Sequence, residues 1–257
     1  MAPLDVPATF TRDEHDLARV RERAQATSVA VIVPARDEAA TIGPVVSAIA
    51  ESAFVDELLV VNDHSSDDTA TVAAHHGAQV LTLGRPSGKG AAMAAGLAAT
   101  NSEIVVFLDA DVLSPLGDFV ARLIEPLLEI PDLQLVKGFY ERPLHDRPTG
   151  GGRVNELAAR PILSLLFPGL GEMRQPLAGE TAARRGALEA IDFEVGYGVE
   201  IALLIDIARK FGVASLAQVD LGVRRHRNRP LEELRPMAGD VLRAALERFG
   251  VELPSNG

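Results

Sequence analysis

Glu103-Ile104-Val105-Val106-Phe107-Leu108-Asp109-Ala110-Asp111 decides how this chain is read. Five apolar residues in a row fit a strand covered on both faces, as in a parallel sheet. Two carboxylates follow the strand at once. Upstream, 28–33 is a similar β-branched run, and 57–61 and 79–83 are shorter ones. Helical patterns fill the gaps, at 41–51, from the Ser65-Ser66-Asp67-Asp68 cap to about 76, and at 88–99. Strand and helix alternate, so the spacing predicts an α/β, Rossmann-like half-domain. In such sheets ligands bind beyond the carboxyl ends of the strands. Asp109 and Asp111 therefore fall on a binding rim.

Beyond Asp111 the pattern predicts a helix at 119–128 and a strand at 133–140, and then the alternation stops. Turn residues at 145–152 lead to helices expected at 153–167, 179–191 and 199–211, a strand at 214–219 and a helix at 231–249. Residues 1–27 read as an arm with a short helix over 13–25. The expected organisation is that arm, a nucleotide-binding half at 28–140, a helical acceptor-side half of the same domain at 141–250, and a tail at 251–257.

Composition narrows the function. The chain has 257 residues, 47% hydrophobic, and a formal net charge of −11, which opposes sequence-independent nucleic-acid binding. There is no cysteine, so disulfide and thiolate chemistry are excluded and a reducing cytoplasm is the natural compartment. No run of residues is long and apolar enough for a membrane span, and the first residues lack the apolar core of a signal peptide. A soluble cytoplasmic protein is expected.

Several polar motifs follow the predicted strands. Hard carboxylate oxygens at Asp109 and Asp111 suit Mg²⁺ or Mn²⁺, although an Asp-rich turn would read the same way without the preceding strand. Gly88-Lys89-Gly90 opens a helix, where backbone amides and a lysine suit phosphate. Leu83 and Met93 stand where nucleotide-loop patterns need glycine, so it is neither a Walker loop nor a dinucleotide fingerprint. Gly150-Gly151-Gly152-Arg153, with Asn155 in the next turn, could cradle an anion or be a flexible linker. Glu200 opens a helix, where the dipole alone would stabilise it. Arg224-Arg225-His226-Arg227-Asn228-Arg229 is a solvated basic patch, or a phosphate-binding segment with a metal-ligating His226.

Taken in order, Pro34-Ala35-Arg36-Asp37-Glu38, Val61-Asn62-Asp63-His64-Ser65 and Asp109-Ala110-Asp111 resemble the nucleotide half of GT-A glycosyltransferases. The segments at 135–144, 150–157, 175–180, 196–200 and 221–230 resemble the glucosyl-3-phosphoglycerate synthase family. That resemblance implies a GT-A fold with a mixed sheet, a nucleotide-sugar donor (usually UDP-glucose), 3-phosphoglycerate as acceptor, retention of configuration, and a homodimer. It implies a donor site at Pro34, Ala35, Glu38, Asn62, Asp63, Lys89, Asp109, Ala110, Leu177 and Glu200. Gly152, Arg153, Asn155, Arg224 and Asn228 would hold the acceptor, Asp111 and His226 the metal. Glu200, Asp111 and Lys89 would carry catalysis. Asn62, His64 and Asn155 depart from the family's usual Asp, Gly and Thr.

Neither a nucleic-acid nor a membrane partner is expected. The competing readings are a mannosyl-3-phosphoglycerate synthase using GDP-mannose, a nucleotidyltransferase, and a non-catalytic nucleotide-sugar binder. A nucleotidyltransferase normally has a glycine-rich loop after its first strand, where this chain has Pro34-Ala35-Arg36-Asp37-Glu38. The full Asp, Lys, Arg and His set argues against a mere binder.

Overall fold

The computed structural model describes residues 6–11, 17–112, 118–141, 143–144, 147–150, 152–223 and 231–254. The chain begins with β1 (Ala8–Phe10) and α1 (Leu17–Ala24). The alternating section follows as β2 (Val29–Ala35), α2 (Ile42–Ala50), β3 (Glu57–Asn62), α3 (Thr69–His75), β4 (Gln79–Thr82), α4 (Lys89–Ala99), β5 (Ile104–Phe107) and α5 (Phe119–Glu129). Next come β6 (Leu135–Glu141) and a hairpin of β7 (Pro143–Leu144) and β8 (Arg147–Gly150). The chain continues through α6 (Arg160–Leu166), β9 (Thr181–Arg184), α7 (Arg185–Glu189), α8 (Val199–Phe211), β10 (Leu216–Val223) and α9 (Leu231–Phe249). Among the described residues no helix is long and apolar enough to cross a membrane.

Eight strands form one sheet in the order β1-β10-β6-β9-β5-β2-β3-β4. All neighbours are parallel except β9, which runs antiparallel to both β5 and β6. The sheet is thus the mixed sheet of a GT-A fold. The chain leaves β2 outward through β3 and β4, then returns to the other flank of β2 as β5. That reversal opens a crevice between the ends of β2 and β5, where ligands bind in open α/β sheets. Pro34–Glu38 and Asp109–Asp111 both stand there.

Alternation in β2 shows why the sheet is buried on both faces. Val29, Val31 and Val33 pack with Ile42, Val46 and Ile124 on one side, whereas Ile32 packs with Met93 and Leu97 on the other. Each of these fully buried side chains contributes about 1.5–3 kcal/mol through area removed from water. Below α4, α6, α8 and α9 bury a second apolar layer against the same sheet.

Three expectations are corrected. The helix expected at 179–191 is instead β9 followed by the short α7. Thr181-Ala182-Ala183-Arg184 has no strand signature, but two neighbouring strands offer it ladders on both sides, and that tertiary context overrides alanine's helical preference. The N-terminal arm contributes a strand, β1, which extends the sheet beside β10. The helix expected at 153–167 begins as a π-helical turn, Asn155–Ala159, before α6. Pro161 lacks the N–H that would close the preceding turn and crowds its carbonyl, which accounts for the widening.

Candidate active site

The strand ends converge on a cleft of about 520 Å³. Its first edge is made by Pro34, Ala35, Glu38 and Asp63, at the ends of β2 and β3. This edge is cross-braced. Asp37 accepts hydrogen bonds from the Ser66 amide at 2.7 Å and from its hydroxyl at 3.0 Å, while the Glu38 amide donates to Thr69 Oγ1 at 2.8 Å. The bonds from Ser66 hold the Asp37 carboxyl below the usual carboxylate range. Asp67 is lowered likewise, chiefly by the Thr69 hydroxyl. His64 adopts φ 58°, the left-handed region that glycine enters without steric cost. The usual glycine of this loop is thereby explained.

Asp63 reaches across the cleft edge. Its carboxylate accepts the Ser87 amide at 2.6 Å and the Gly88 amide at 2.9 Å. These bonds fix the loop that presents Lys89, the first residue of α4. Gly90 is required for a different reason than phosphate approach. A Cβ there would lie 1.6 Å from the Glu194 carbonyl oxygen, and the Gly90 amide donates to the Val195 carbonyl at 3.0 Å. The glycine lets α4 seat directly on the backbone that leads into α8.

That seating brings Lys89 Nζ to 2.7 Å from Asp109 Oδ1 and 2.5 Å from Glu200 Oε1. Burial alone would push the Lys89 ammonium down, but the Asp109 and Glu200 carboxylates outweigh it and hold the group above its ordinary value. Ala110 and Asp111 line the cleft beside this triad. Gly179 closes the corner: a Cβ there would lie 2.1 Å from Asp109 Oδ1.

The opposite wall carries Gly152, Arg153, Asn155 and Leu177. Asn155 is 6% exposed and its amide is engaged internally. Nδ2 donates to Glu156 at 3.0 Å and to the Arg174 carbonyl at 3.2 Å, and Oδ1 accepts the Leu177 amide at 3.4 Å. Asn62 is buried outside the cleft lining, with Oδ1 accepting the Ser65 amide at 3.1 Å and Nδ2 directed to Thr82 Oγ1 at 3.4 Å. Arg224, His226 and Asn228 lie outside the described residues.

Asp111 offers a hard oxygen at the crevice, and such a donor fits Mg²⁺ or Mn²⁺, which complete their shells with phosphate oxygens and water. Among the described residues there is no group of three or more acidic, His or Cys side chains poised for a metal.

Sequence reasoning passed over two features. Tyr197 and the α9 residues Met237 and Asp240 also line the cleft, a wall assembled only by the packing of α9 on α8. Lys137 in β6 is completely buried, and its Nζ donates to the Ala178 carbonyl at 2.6 Å. Burial pushes its ammonium down to about 8, against the pull of the Glu200 carboxylate. A lysine inside an apolar strand was the available signal.

Comparison with known proteins is consistent with this geometry. Residues 30–172 match the model of glycosyl transferase family 2. Glucosyl-3-phosphoglycerate synthase of Mycobacterium tuberculosis strain H37Rv is 43% identical over 272 residues, covering 99% of this chain and 82% of that protein. The Petrotoga mobilis protein of the same name is 40% identical over 250 residues, covering 91% and 77%. The M. tuberculosis enzyme crystallised with Mn²⁺, UDP-glucose and phosphoglyceric acid superposes with a TM-score of 0.89 at 43% identity, covering 97% of this chain and 89% of that one. Its complex with Mn²⁺, UDP and glucosyl-3-phosphoglycerate gives 0.87 at 42% identity, over 97% and 89%.

Proposed function

Because the chain belongs to glycosyl transferase family 2 and, within it, to the glucosyl-3-phosphoglycerate synthases, we propose that this cleft transfers glucose from UDP-glucose to 3-phosphoglycerate. The observation that carries the reading is the Lys89 ammonium bridging Asp109 and Glu200 at 2.7 and 2.5 Å, in one cleft with Asp111 and Arg153. The M. tuberculosis enzyme, crystallised with Mn²⁺ or with Mg²⁺ and nucleotide, supports the same cofactors here. GDP-mannose as donor has no such support.

The donor lies chiefly along 28–140, with Pro34, Ala35, Glu38 and Asp63 toward the nucleoside and Asn62 bracing that edge from behind through the Ser65 amide. Lys89, Asp109, Ala110 and, from the other half, Leu177 and Glu200 stand around the diphosphate and sugar. The acceptor lies along 141–250, its phosphate on Gly152 and Arg153, with Asn155, Arg224 and Asn228 beside it. Asp111 and His226 hold the divalent ion, which when bound offsets the negative charge of the diphosphate. Lys89 adds a fixed cation at the same corner, and Glu200 accepts hydrogen bonds from sugar hydroxyls. Arg153 and the glycine amides hold a second anion close to the first, so positioning two species that repel in water supplies much of the rate.

In the transfer the bond from the anomeric carbon to the diphosphate oxygen breaks, and a bond to the acceptor hydroxyl oxygen forms on the same face. The hydroxyl proton passes to an oxygen of the departing diphosphate. The acceptor hydroxyl attacks directly, with no covalent glucosyl-enzyme, and Glu200 serves as the ion-paired partner of Lys89. The protein works as a homodimer in the cytoplasm. Leu157 and Leu165, 78% and 80% exposed, support a subunit contact, and the absence of cysteine supports the compartment.

The experiment is a donor-by-acceptor matrix with Mg²⁺ or Mn²⁺, read by mass spectrometry and by the anomeric proton signal. Glucosyl-3-phosphoglycerate in the α configuration is expected from UDP-glucose. Product only from GDP-mannose, or a β product, contradicts the reading.

A further inference from the structure

Lys137 is a buried cation in a strand whose neighbours Leu135 and Val136 are wholly apolar and fully buried. An ammonium taken out of water costs several kcal/mol unless something specific holds it. The Glu200, Glu180 and Asp109 carboxylates offset only part of that cost, so stability alone does not account for a lysine here. Its position beneath the cleft does.

The Lys137 ammonium donates to the Ala178 carbonyl at 2.6 Å, and Thr181 Oγ1 approaches the same oxygen at 3.5 Å. Ala178 stands between two residues that shape the site. Leu177, on one side, lines the cleft, and its amide is held by Asn155 Oδ1. Gly179, on the other, lies against the Asp109 carboxylate, which is bonded to Lys89. One step further on, the Gly138 amide, next to Lys137 on the same strand, donates to the Glu180 carbonyl at 2.8 Å. The run 177–180 is thus tied down from β6 and from the acceptor-side wall.

Because the peptide between 178 and 179 is planar and trans, its carbonyl and its N–H point in opposite directions. A carbonyl drawn down onto Lys137 presents the Gly179 N–H on the opposite face. Without the ammonium that peptide can flip, exchanging a donor for an acceptor there and shifting Leu177.

We propose that Lys137 is a positioning residue for sugar transfer, acting through the Ala178 carbonyl to hold the Leu177–Gly179 backbone against the donor sugar and Asp109. The inference rests on the reading of the cleft as a glucosyltransferase site. It assigns Lys137 to the sugar and not to the nucleotide or the acceptor.

The test compares the full-length wild type with K137M and K137Q. The glutamine side chain is one atom shorter and falls short of the Ala178 oxygen, so both variants break the bond, and K137Q keeps a polar end should K137M not fold. Binding of UDP and of UDP-glucose is measured by calorimetry with Mn²⁺, and kcat and KM by product formation, per folded molecule. The expected result is a kcat lowered about 10- to 100-fold, a 3-phosphoglycerate KM within about twofold, and UDP affinity unchanged while UDP-glucose loses its advantage over UDP. A merely structural lysine would weaken UDP and UDP-glucose together, and that result overturns the proposal, as does wild-type kcat in either folded variant. An inactive wild type would sink the glucosyltransferase reading itself, whereas an active wild type with unchanged variants sinks only the role of Lys137.

Discussion

Lys89 Nζ lies 2.5 Å from Glu200 Oε1, which ties the first residue of α4 to the first turn of α8. The two residues are far apart in sequence and meet because Gly90 lets one helix rest on the backbone that enters the other. Glu200 is only 8% exposed at its side chain, so this cation is the direct charge partner of a carboxylate in a nearly dry corner.

Removing the cation should therefore cost more than a surface lysine would. In Lys89→Met, Asp109 and Glu200 lose the ammonium that bridges them directly, and Lys137 is left as a less direct cation. We expect stability to fall by about 2 kcal/mol, less than for a fully buried pair because Lys89 is one-fifth exposed. Transfer should fall at least about 100-fold. Urea unfolding and single-turnover assays separate the two effects, and an active, equally stable variant would contradict the role.

Asp63 acts through the loop it holds. Asp63→Ala strands the Ser87 and Gly88 amides, at a cost of roughly 1–3 kcal/mol if water does not replace the carboxylate. The Lys89 loop loosens with it. The donor KM should rise while the 3-phosphoglycerate KM stays near wild type, which steady-state kinetics with each substrate varied would show. An equal rise in both would point to general unfolding.

Gly179→Ala adds a methyl where Asp109 Oδ1 stands 2.1 Å away. Either the carboxylate or the 177–180 backbone must shift, and both belong to the site. A fold retained by circular dichroism with transfer reduced about 10-fold or more is expected. Unchanged activity would show that the close approach does not matter.

The buried Lys137 and the partly buried Lys89 are shifted in opposite senses. Lys137 is held down to about 8 by burial, and Lys89 adds repulsion while Glu200, Glu180 and Asp109 pull the other way. Between pH 8 and its ordinary 10.5 the unfolded chain keeps a proton that the folded chain has released, so Lys137 makes stability rise with pH. Lys89, raised above its ordinary 10.5, contributes stability that is intact below that pH and lost only as pH climbs through its folded value. Across pH 8 to 10.5 the wild type should therefore gain on K137M by up to about 3 kcal/mol. Denaturant titrations at several pH values test this, and a flat difference would contradict it.

Much of this was legible in the residues. The run Ile104–Leu108 closing on Asp109-Ala110-Asp111 located both the sheet and its functional rim, because strands buried on two faces carry an unbroken apolar signal. Lys89, Arg153, Leu177 and Glu200 were placed through family likeness, and the fold does bring them to one cleft. What could not be read depends on distant partners. Thr181–Arg184 is a strand only because β5 and β6 flank it. The Gly90 approach answers the Glu194 backbone, which no local pattern announces. The bonds of Asn155 to Glu156, Arg174 and Leu177 join distant segments that no local pattern links, and the α9 wall exists only once α9 has packed on α8.

The account turns on where the divalent ion and the donor meet the chain. The most direct measurement is an anomalous-difference map from crystals of this protein soaked with Mn²⁺ and UDP-glucose. A peak within bonding distance of an Asp111 oxygen and of the diphosphate, with the glucose between Glu200 and Leu177, is the predicted result. A nucleotide bound away from the β2–β5 crevice, or an ion without contact to Asp111, would contradict it.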